Sequence, residues 1–156
     1  MPVSTEEVLH PSRYTANDRP ARVGFAPAGR DTLVYDDDLG EFETRVALET
    51  WGAGEAQAIA AAAGWNGDRY EVLGSTSGTA LVWASAWDTP GDASEFAQAL
   101  RQAWERARSR GAAAGRRWQV DSQVVAGVSV VRLVDAPSAW QGWNRLPMPR
   151  LTRPTR

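Results

Sequence analysis

The stretch Ala80-Leu81-Val82-Trp83-Ala84-Ser85-Ala86-Trp87 decides the fold class, because bulky and small side chains alternate along it. A strand turns successive side chains to opposite faces of its sheet. The stretch therefore predicts a strand with one bulky face and one small face, and we expect a helix to pack closely against the small face. Residues 69–73 predict the partner strand, which is joined to it by a flexible hairpin loop at 74–78.

Helix signals stand on both sides of this hairpin. In Thr89-Pro90-Gly91-Asp92, Thr89 can cap a helix, proline suits its first position, and Asp92 complements the helix dipole. Apolar residues then recur with helical spacing to about Ser109. Upstream, Asp38 with Glu41 three residues later predicts a capped helix that ends near Trp51. Two shorter helices are predicted at residues 4–10 and 55–63.

A second hairpin is predicted from residues 118–124 and 128–134. Its second strand is rich in valine on both faces, which indicates an interior position in the sheet. The order α-α-α-β-β-α-β-β predicts an α+β fold, in which helices pack on a mostly antiparallel four-stranded sheet made of two hairpins. The chain divides into a short helix and extended arm (1–32), an α+β core domain (33–136) and a Trp/Pro/Arg-rich tail (137–156).

The composition excludes several classes of chemistry. The chain has 156 residues with one histidine, His10, no cysteine and no lysine, so all 17 basic residues are arginine. Disulfides, thiol nucleophiles, cysteine-bound zinc and iron–sulfur clusters are excluded, as are Walker and Schiff-base lysines. We expect no cofactor and no metal, and the net charge of −2 does not favour nucleic acid as a partner.

The sequence also bears on location. No apolar run approaches the ~20 residues that span a bilayer, and the acidic start lacks the apolar region of a signal peptide. If Met1 is the native start, a cytoplasmic protein is indicated. A fragment cut from an exported protein would have the same composition, so the compartment and the oligomeric state stay open.

Two polar patterns are candidates for chemistry. Glu6 precedes His10 by four residues, a spacing that can hold a metal ion or support acid–base catalysis, although a helix-end role is the more ordinary interpretation. The run Asp36-Asp37-Asp38 offers oxygen ligands without the spacing of a calcium loop, and Asp38 already serves as the expected cap. A hydrolase that uses His10 with nearby carboxylates is therefore kept as the alternative function, and no catalytic residue is assigned.

The eight tryptophans are the most distinctive feature of the chain. Trp51, Trp83, Trp87 and Trp104 fall on periodic apolar faces, which favours core positions. Tryptophan together with arginine is also typical of binding hot spots, so the sequence predicts a non-catalytic binding or assembly domain with a protein partner or a larger assembly. A small-ligand pocket lined by Trp83 and Trp87 is a further alternative. The predicted binding residues are Trp65, Trp140, Trp143, Arg145 and Arg150.

Several blocks of the chain resemble a known family. They are Ser4–Tyr14, Asp38–Phe42, Ala63–Tyr70, Val82-Trp83 with Trp87–Thr89, and Glu95-Phe96. In this order they resemble the C-terminal part of a poorly characterised group of bacterial and archaeal proteins, over residues 3–105. The longer members look like predicted zinc metallopeptidases with an upstream His-Glu-x-x-His motif, which is absent here. The resemblance implies an accessory subunit or a detached non-catalytic domain, and it carries over no catalytic residue.

Overall fold

The computed structural model describes Leu9 and residues 19–26, 31–111 and 114–152. The described part of the chain contains seven strands and three α-helices. The strands are β1 (Arg22–Phe25), β2 (Thr32–Asp37), β3 (Trp65–Ser75), β4 (Gly78–Trp87), β5 (Arg116–Val125), β6 (Val128–Pro137) and β7 (Pro149–Thr152). The helices are α1 (Gly40–Thr50), α2 (Glu55–Ala62) and α3 (Pro90–Ser109), and a short 3-10 helix follows at Gln141–Asn144.

The strands form two sheets. Five antiparallel strands lie in the order β2-β3-β4-β6-β5, and β1 pairs with β7 in a separate two-stranded ribbon. The predicted four-stranded sheet and the order α-α-α-β-β-α-β-β are therefore wrong, because the described elements run β-β-α-α-β-β-α-β-β-β. The strands absent from that order carry little local signal, although Leu33-Val34-Tyr35, within β2, is a candidate short strand in the sequence. β2 contains a register shift at Val34, and β1 and β7 are four-residue strands that pair across opposite ends of the chain. The helix predicted at 4–10 lies, except for Leu9, outside the described residues.

The helices cover the bulky face of β4, not its small face as expected. The ring of Trp87 stacks on Phe96 of α3 at 4.4 Å between centroids, and Trp83 meets the same ring edge-on at 5.5 Å. Large aromatic side chains fill the space between a helix and a sheet, and they bury much apolar area there. Ala58 and Ala61 of α2 belong to the same cluster.

The small face of β4 packs against the C-terminal segment. Trp140 is 2% exposed and lies among Ala80, Val82 and Val134. Its indole N–H donates to Asp31 at 2.8 Å. Small side chains on this face let the chain after β6 lie close to the sheet, so residues 138–152 fold back on their own domain.

Two local predictions are confirmed. The β4–α3 junction carries a full capping box, because Thr89 and Asp92 each accept a hydrogen bond from the other's backbone N–H. The valine-rich strand β6 occupies an interior position between β4 and β5. The first hairpin turn is tighter than expected, since β3 extends to Ser75 and β4 begins at Gly78.

The predicted cap of α1 is wrong. The N-cap residue is Leu39, not Asp38, and its own side chain makes no capping hydrogen bond. Asp68 of β3 supplies the capping oxygens, since it accepts hydrogen bonds from the backbone N–H groups of Leu39 and Gly40. Among the described residues, no helix has both the length and the apolar character needed to cross a membrane.

Candidate functional site

Asp135, near the end of β6, is the centre of a polar cluster on the helix-covered face. Its side chain is buried, and Oδ1 accepts a hydrogen bond from Arg116 Nε at 2.7 Å. Oδ2 accepts from Trp104 Nε1 at 3.1 Å and forms an ion pair with Arg108. One carboxylate therefore holds two guanidinium groups and one indole in place.

The periodicities of three elements bring these residues together. Trp104 and Arg108 are four residues apart on α3, so they share one face of the helix. Arg116 and Trp118 lie on one face of β5, and Trp118 pairs directly with Asp135 across the sheet. Arg117, one residue along, lies on the opposite face, where its guanidinium stacks 4.4 Å above the ring of Trp143.

An open cleft of about 350 Å³ lies beside this cluster. Trp51 and Trp104 form an aromatic wall, with ring centroids 4.8 Å apart and planes perpendicular. Both indoles also pack against the main core on their inner side. The residues that define the cleft are Trp51, Leu81, Trp104, Arg108, Arg116 and Asp135.

The guanidinium groups are anchored, yet their donors are not exhausted. Arg116 also donates to the carbonyl oxygens of Thr79 at 3.1 Å and of Asp135 at 3.0 Å. Arg108 donates to the carbonyl oxygen of Arg116 at 3.2 Å. Since a guanidinium has five N–H groups, the hydrogen bonds among described residues use two on Arg108 and three on Arg116.

Arg106 of α3 and Arg110, which directly follows the helix, reinforce the aromatic wall. Arg106 donates to the carbonyl oxygen of Gly52 at 2.8 Å, and Arg110 donates to that of Trp51 at 3.3 Å. These bonds hold the segment after α1 against α3. They also place further positive charge beside Trp51.

The part of the chain that forms this cleft matches a known protein family. Residues 31–142 match a family model described as a domain of unknown function, DUF8575. The chain belongs to this family. The DUF8575 region contains the whole five-stranded sheet, the three helices and every cleft residue, whereas β1 and β7 lie outside it. No curated protein and no solved structure matches the chain.

The DUF8575 match carries no link to metallopeptidases. The role of an accessory or detached domain, which the resemblance implies, therefore stays a prediction. His10 and Glu6, the basis of the hydrolase alternative, lie outside the described residues. Within those residues, no group of three or more acidic or histidine side chains is placed to hold a metal ion.

The predicted binding residues occupy very different environments. Trp65 is 3% exposed and Trp140 2% exposed, so neither indole can meet a partner in this structure, contrary to the predicted surface. Trp143 is half-buried beneath Arg117, and its indole N–H donates to the Pro137 carbonyl oxygen at 2.9 Å. Irregular segments can bury tryptophan through tertiary packing, which periodicity does not reveal. Arg145 and Arg150 are exposed.

The space between the sheet and the helices at Trp83 and Trp87, where the alternative function places a ligand pocket, is filled. Both indoles are buried, and Phe96 occupies the space against them. The Trp87 indole N–H donates to Ser85 at 3.0 Å inside the core. The open space lies instead at the Trp51–Trp104 side of the same helix layer.

The block Gly64–Tyr70 is structural. Burial raises the pKa of Asp68, and hydrogen bonds from Gly40, Leu39 and Trp83 oppose that rise. The indole N–H groups of Trp65 and Trp83 donate to Asp68 at 3.2 and 2.8 Å. Arg69 forms its ion pair with Asp36, so Asp68 and Arg69 serve different neighbours.

The three consecutive aspartates act separately. Asp36 pairs with Arg69, and Asp37 accepts a hydrogen bond from the Tyr35 hydroxyl at 2.9 Å. This bond, together with the interaction of Tyr35 with Tyr70, raises the pKa of Tyr35 to about 12. Asp38 is exposed. The three aspartates therefore have separate environments and do not act as one cluster.

Sequence reasoning missed Arg108, Arg116 and Asp135 as one site. Arg108 in the last turn of α3 suits the helix dipole, and Arg116 stands in an arginine-rich stretch, so neither residue by itself indicates a site. One signal was present in the strand Val128–Pro137, which is interior and nearly all apolar yet contains Arg132 and Asp135. A charge in such a strand needs a buried partner, and that requirement points to an ionic cluster.

Proposed function

We propose that this domain binds a small ligand without transforming it, and that the cleft beside Asp135 is its binding site. The observation that carries the proposal is the buried Asp135 carboxylate, which fixes Arg108 and Arg116 at the edge of an open, tryptophan-walled cleft. Ligand pockets are typically apolar and carry a few well-placed polar groups. This cleft has that composition.

The energetics of the cluster support a role in recognition. Placing ions in a protein interior has a large desolvation cost, and a buried ion pair is weak evidence for stabilisation. Side chains held in position before binding lose less conformational entropy when a ligand arrives. Arg108 and Arg116 are held by bonds to Asp135 and to backbone carbonyl groups, and within the described part of the chain some of their N–H groups have no acceptor.

The proposal that the ligand is not transformed rests on the hydrogen bonds that the Asp135 carboxylate accepts. Both carboxylate oxygens accept hydrogen bonds from Trp104, Arg108 or Arg116. These bonds use three of the roughly four lone-pair sites of the carboxylate, and only 5% of the Asp135 side chain is exposed. A general base needs a free lone pair directed at the substrate proton. The other cleft side chains are indoles, guanidinium groups and aliphatic groups, which suit contact and charge recognition.

An NMR titration of the tryptophan indole N–H signals tests the proposal. Phenylacetate, phenylacetamide and phenethylammonium serve as probes that share one ring and differ in charge. We expect at least one probe to shift the indole signals of Trp51 and Trp104 and to leave that of buried Trp140 unchanged. If none of the three shifts the Trp51 or Trp104 signal, the cleft is not a ligand site.

Two variants localise the binding. Ala107 also lines the cleft, so Ala107→Leu should fill it and abolish the shifts without touching the Asp135 cluster. Arg145→Gln changes an exposed residue of the tail, beyond the opposite face of the sheet, and should leave the titration unaltered. Equal loss in both variants would contradict the assignment to this cleft.

A further inference from the structure

We propose that the cleft selects a small organic acid, namely a single carboxylate attached to a flat apolar or aromatic group; this inference rests on the proposed ligand-binding function. The carboxylate would be recognised by Arg108 and Arg116. The flat group would lie against Trp51 and Trp104. Charge, donor geometry and size each point to this class of ligand.

The charge of the cleft favours one negative group. Two guanidinium groups surround Asp135, and it is the one acidic residue among those that line the cleft. The three charges sum to one positive charge. The charge of Asp135 also lies at the buried end of the cluster, since the side chain of Asp135 is 5% exposed against 15% for Arg108 and 30% for Arg116. The accessible side of the cluster is therefore cationic, whereas Arg106 and Arg110 donate to the carbonyl oxygens of Gly52 and Trp51 and do not line the cleft.

The spare donors favour an oxyanion. Guanidinium groups match the two oxygens of a carboxylate or a phosphate with parallel N–H bonds. Arg108 keeps three N–H groups and Arg116 keeps two beyond their hydrogen bonds among the described residues. The charged residues that line the cleft carry one net positive charge, which matches a monoanionic carboxylate better than a dianionic phosphate ester.

The walls and the volume define the rest of the ligand. Trp51 and Trp104 pack edge to face, so they offer an indole surface on which a planar group can stack. Leu81 extends the apolar lining. A volume of about 350 Å³ is near the lower end for ligand pockets, which run from about 300 to 1,000 Å³, so it suits one or two rings.

The decisive experiment compares matched probes on the unmodified protein. Phenylacetate and phenylacetamide are nearly the same size, and only the first carries a charge. We expect phenylacetate to bind about tenfold more tightly at low salt, which is the scale of one charge-assisted hydrogen bond, and the ratio to fall in high salt. If phenylacetamide binds within twofold of phenylacetate, this inference is wrong while the proposed function stands. If neither binds, the proposed function itself fails.

A phosphate-bearing probe, phenyl phosphate, and two variants complete the test. Phenyl phosphate should bind no more tightly than phenylacetate, and clearly tighter binding would overturn the choice of a carboxylate. Arg108→Gln should weaken phenylacetate about tenfold and leave phenylacetamide unchanged. Arg101→Gln changes an exposed arginine of the same helix that does not line the cleft; it is the matched control and should reduce the affinity for phenylacetate less than twofold. Should Arg108→Gln unfold, the comparison of phenylacetate with phenylacetamide on the unmodified protein still decides the matter.

Discussion

The carboxylate of Asp68 on β3 caps the helix that begins at Gly40, with Oδ1 2.9 Å from the Gly40 backbone nitrogen. The first N–H groups of a helix have no partner within the helix, and an acceptor near them also interacts favourably with the helix dipole. Here the acceptor comes from a strand 28 residues later in the chain. One side chain thereby joins α1 to the sheet.

Replacing this cap should be costly. Asp68→Asn keeps the shape but loses the charge, and it sets amide hydrogens against the N–H groups that now donate to Asp68. We expect a loss of about 2–3 kcal/mol in the free energy of unfolding, measured by urea denaturation. Asp38→Asn is the control, because this exposed residue does not cap α1, and it should cost less than about 0.5 kcal/mol. Equal losses would restore Asp38 as the cap.

The pH dependence of this effect has a definite sign. Burial raises the pKa of Asp68 above the ordinary value of 3.8, so the folded protein binds this proton more readily than the unfolded chain does. The stability contributed by Asp68 therefore grows as the pH falls through the raised pKa toward 3.8, and it is lost as the pH rises again. Asparagine does not titrate. The unfolding free energy of the wild type minus that of Asp68→Asn, measured at each pH, therefore isolates the contribution of Asp68.

We expect the stability advantage of the wild type over Asp68→Asn to grow as the pH is lowered from about 7 to about 4. Burial also raises the pKa of Glu71, but that contribution is common to both proteins and cancels. A difference that moves the other way would mean that the hydrogen bonds to Asp68 outweigh its desolvation.

At Gly67, the backbone of β3 lies close to the segment before β1. Its φ is +114°, and a Cβ there would lie under 3.0 Å from the Ala21 carbonyl oxygen. Gly127, in the β5–β6 turn, also has positive φ but has open space around it. Gly127→Ala should cost about 1–2 kcal/mol for backbone strain alone. Gly67→Ala should cost about 3 kcal/mol or more by thermal or urea unfolding, and similar costs would show that the contact with Ala21 yields easily.

Arg132 should control attachment of the C-terminal segment. Its buried guanidinium pairs with Asp121 at 2.8 Å and donates to the Pro147 carbonyl oxygen at 2.7 Å. Arg132→Met should make amide hydrogen exchange in residues 140–152 markedly faster than in β3 and β4, because local opening then costs less. Arg117→Gln changes an exposed arginine over Trp143 and should leave that exchange nearly unchanged. Equal acceleration in the tail and in the central strands would contradict this anchoring role.

Short-range patterns predicted a substantial part of the fold. The alternation in 80–87, the helix-start signal at Thr89 and the valine-rich strand at 128–134 each yielded the right element, because the signal lies within a few residues of the structure it specifies. The same patterns could not say which face of β4 the helices cover. That choice depends on how Trp83, Trp87 and Phe96 fill one space together.

The candidate site shows more clearly what local sequence patterns cannot predict. The sequence by itself determined that the chain has eight tryptophans, only arginine as a basic residue and an antiparallel α+β framework, since these follow from composition and local periodicity. Only the tertiary structure decided that Trp65 and Trp140 are buried, and that the cleft forms where α3, β5 and β6 meet. Trp104, Arg116 and Asp135 lie 12 to 31 residues apart in the chain. Their meeting depends on strand register and helix packing, which no local stretch of sequence encodes.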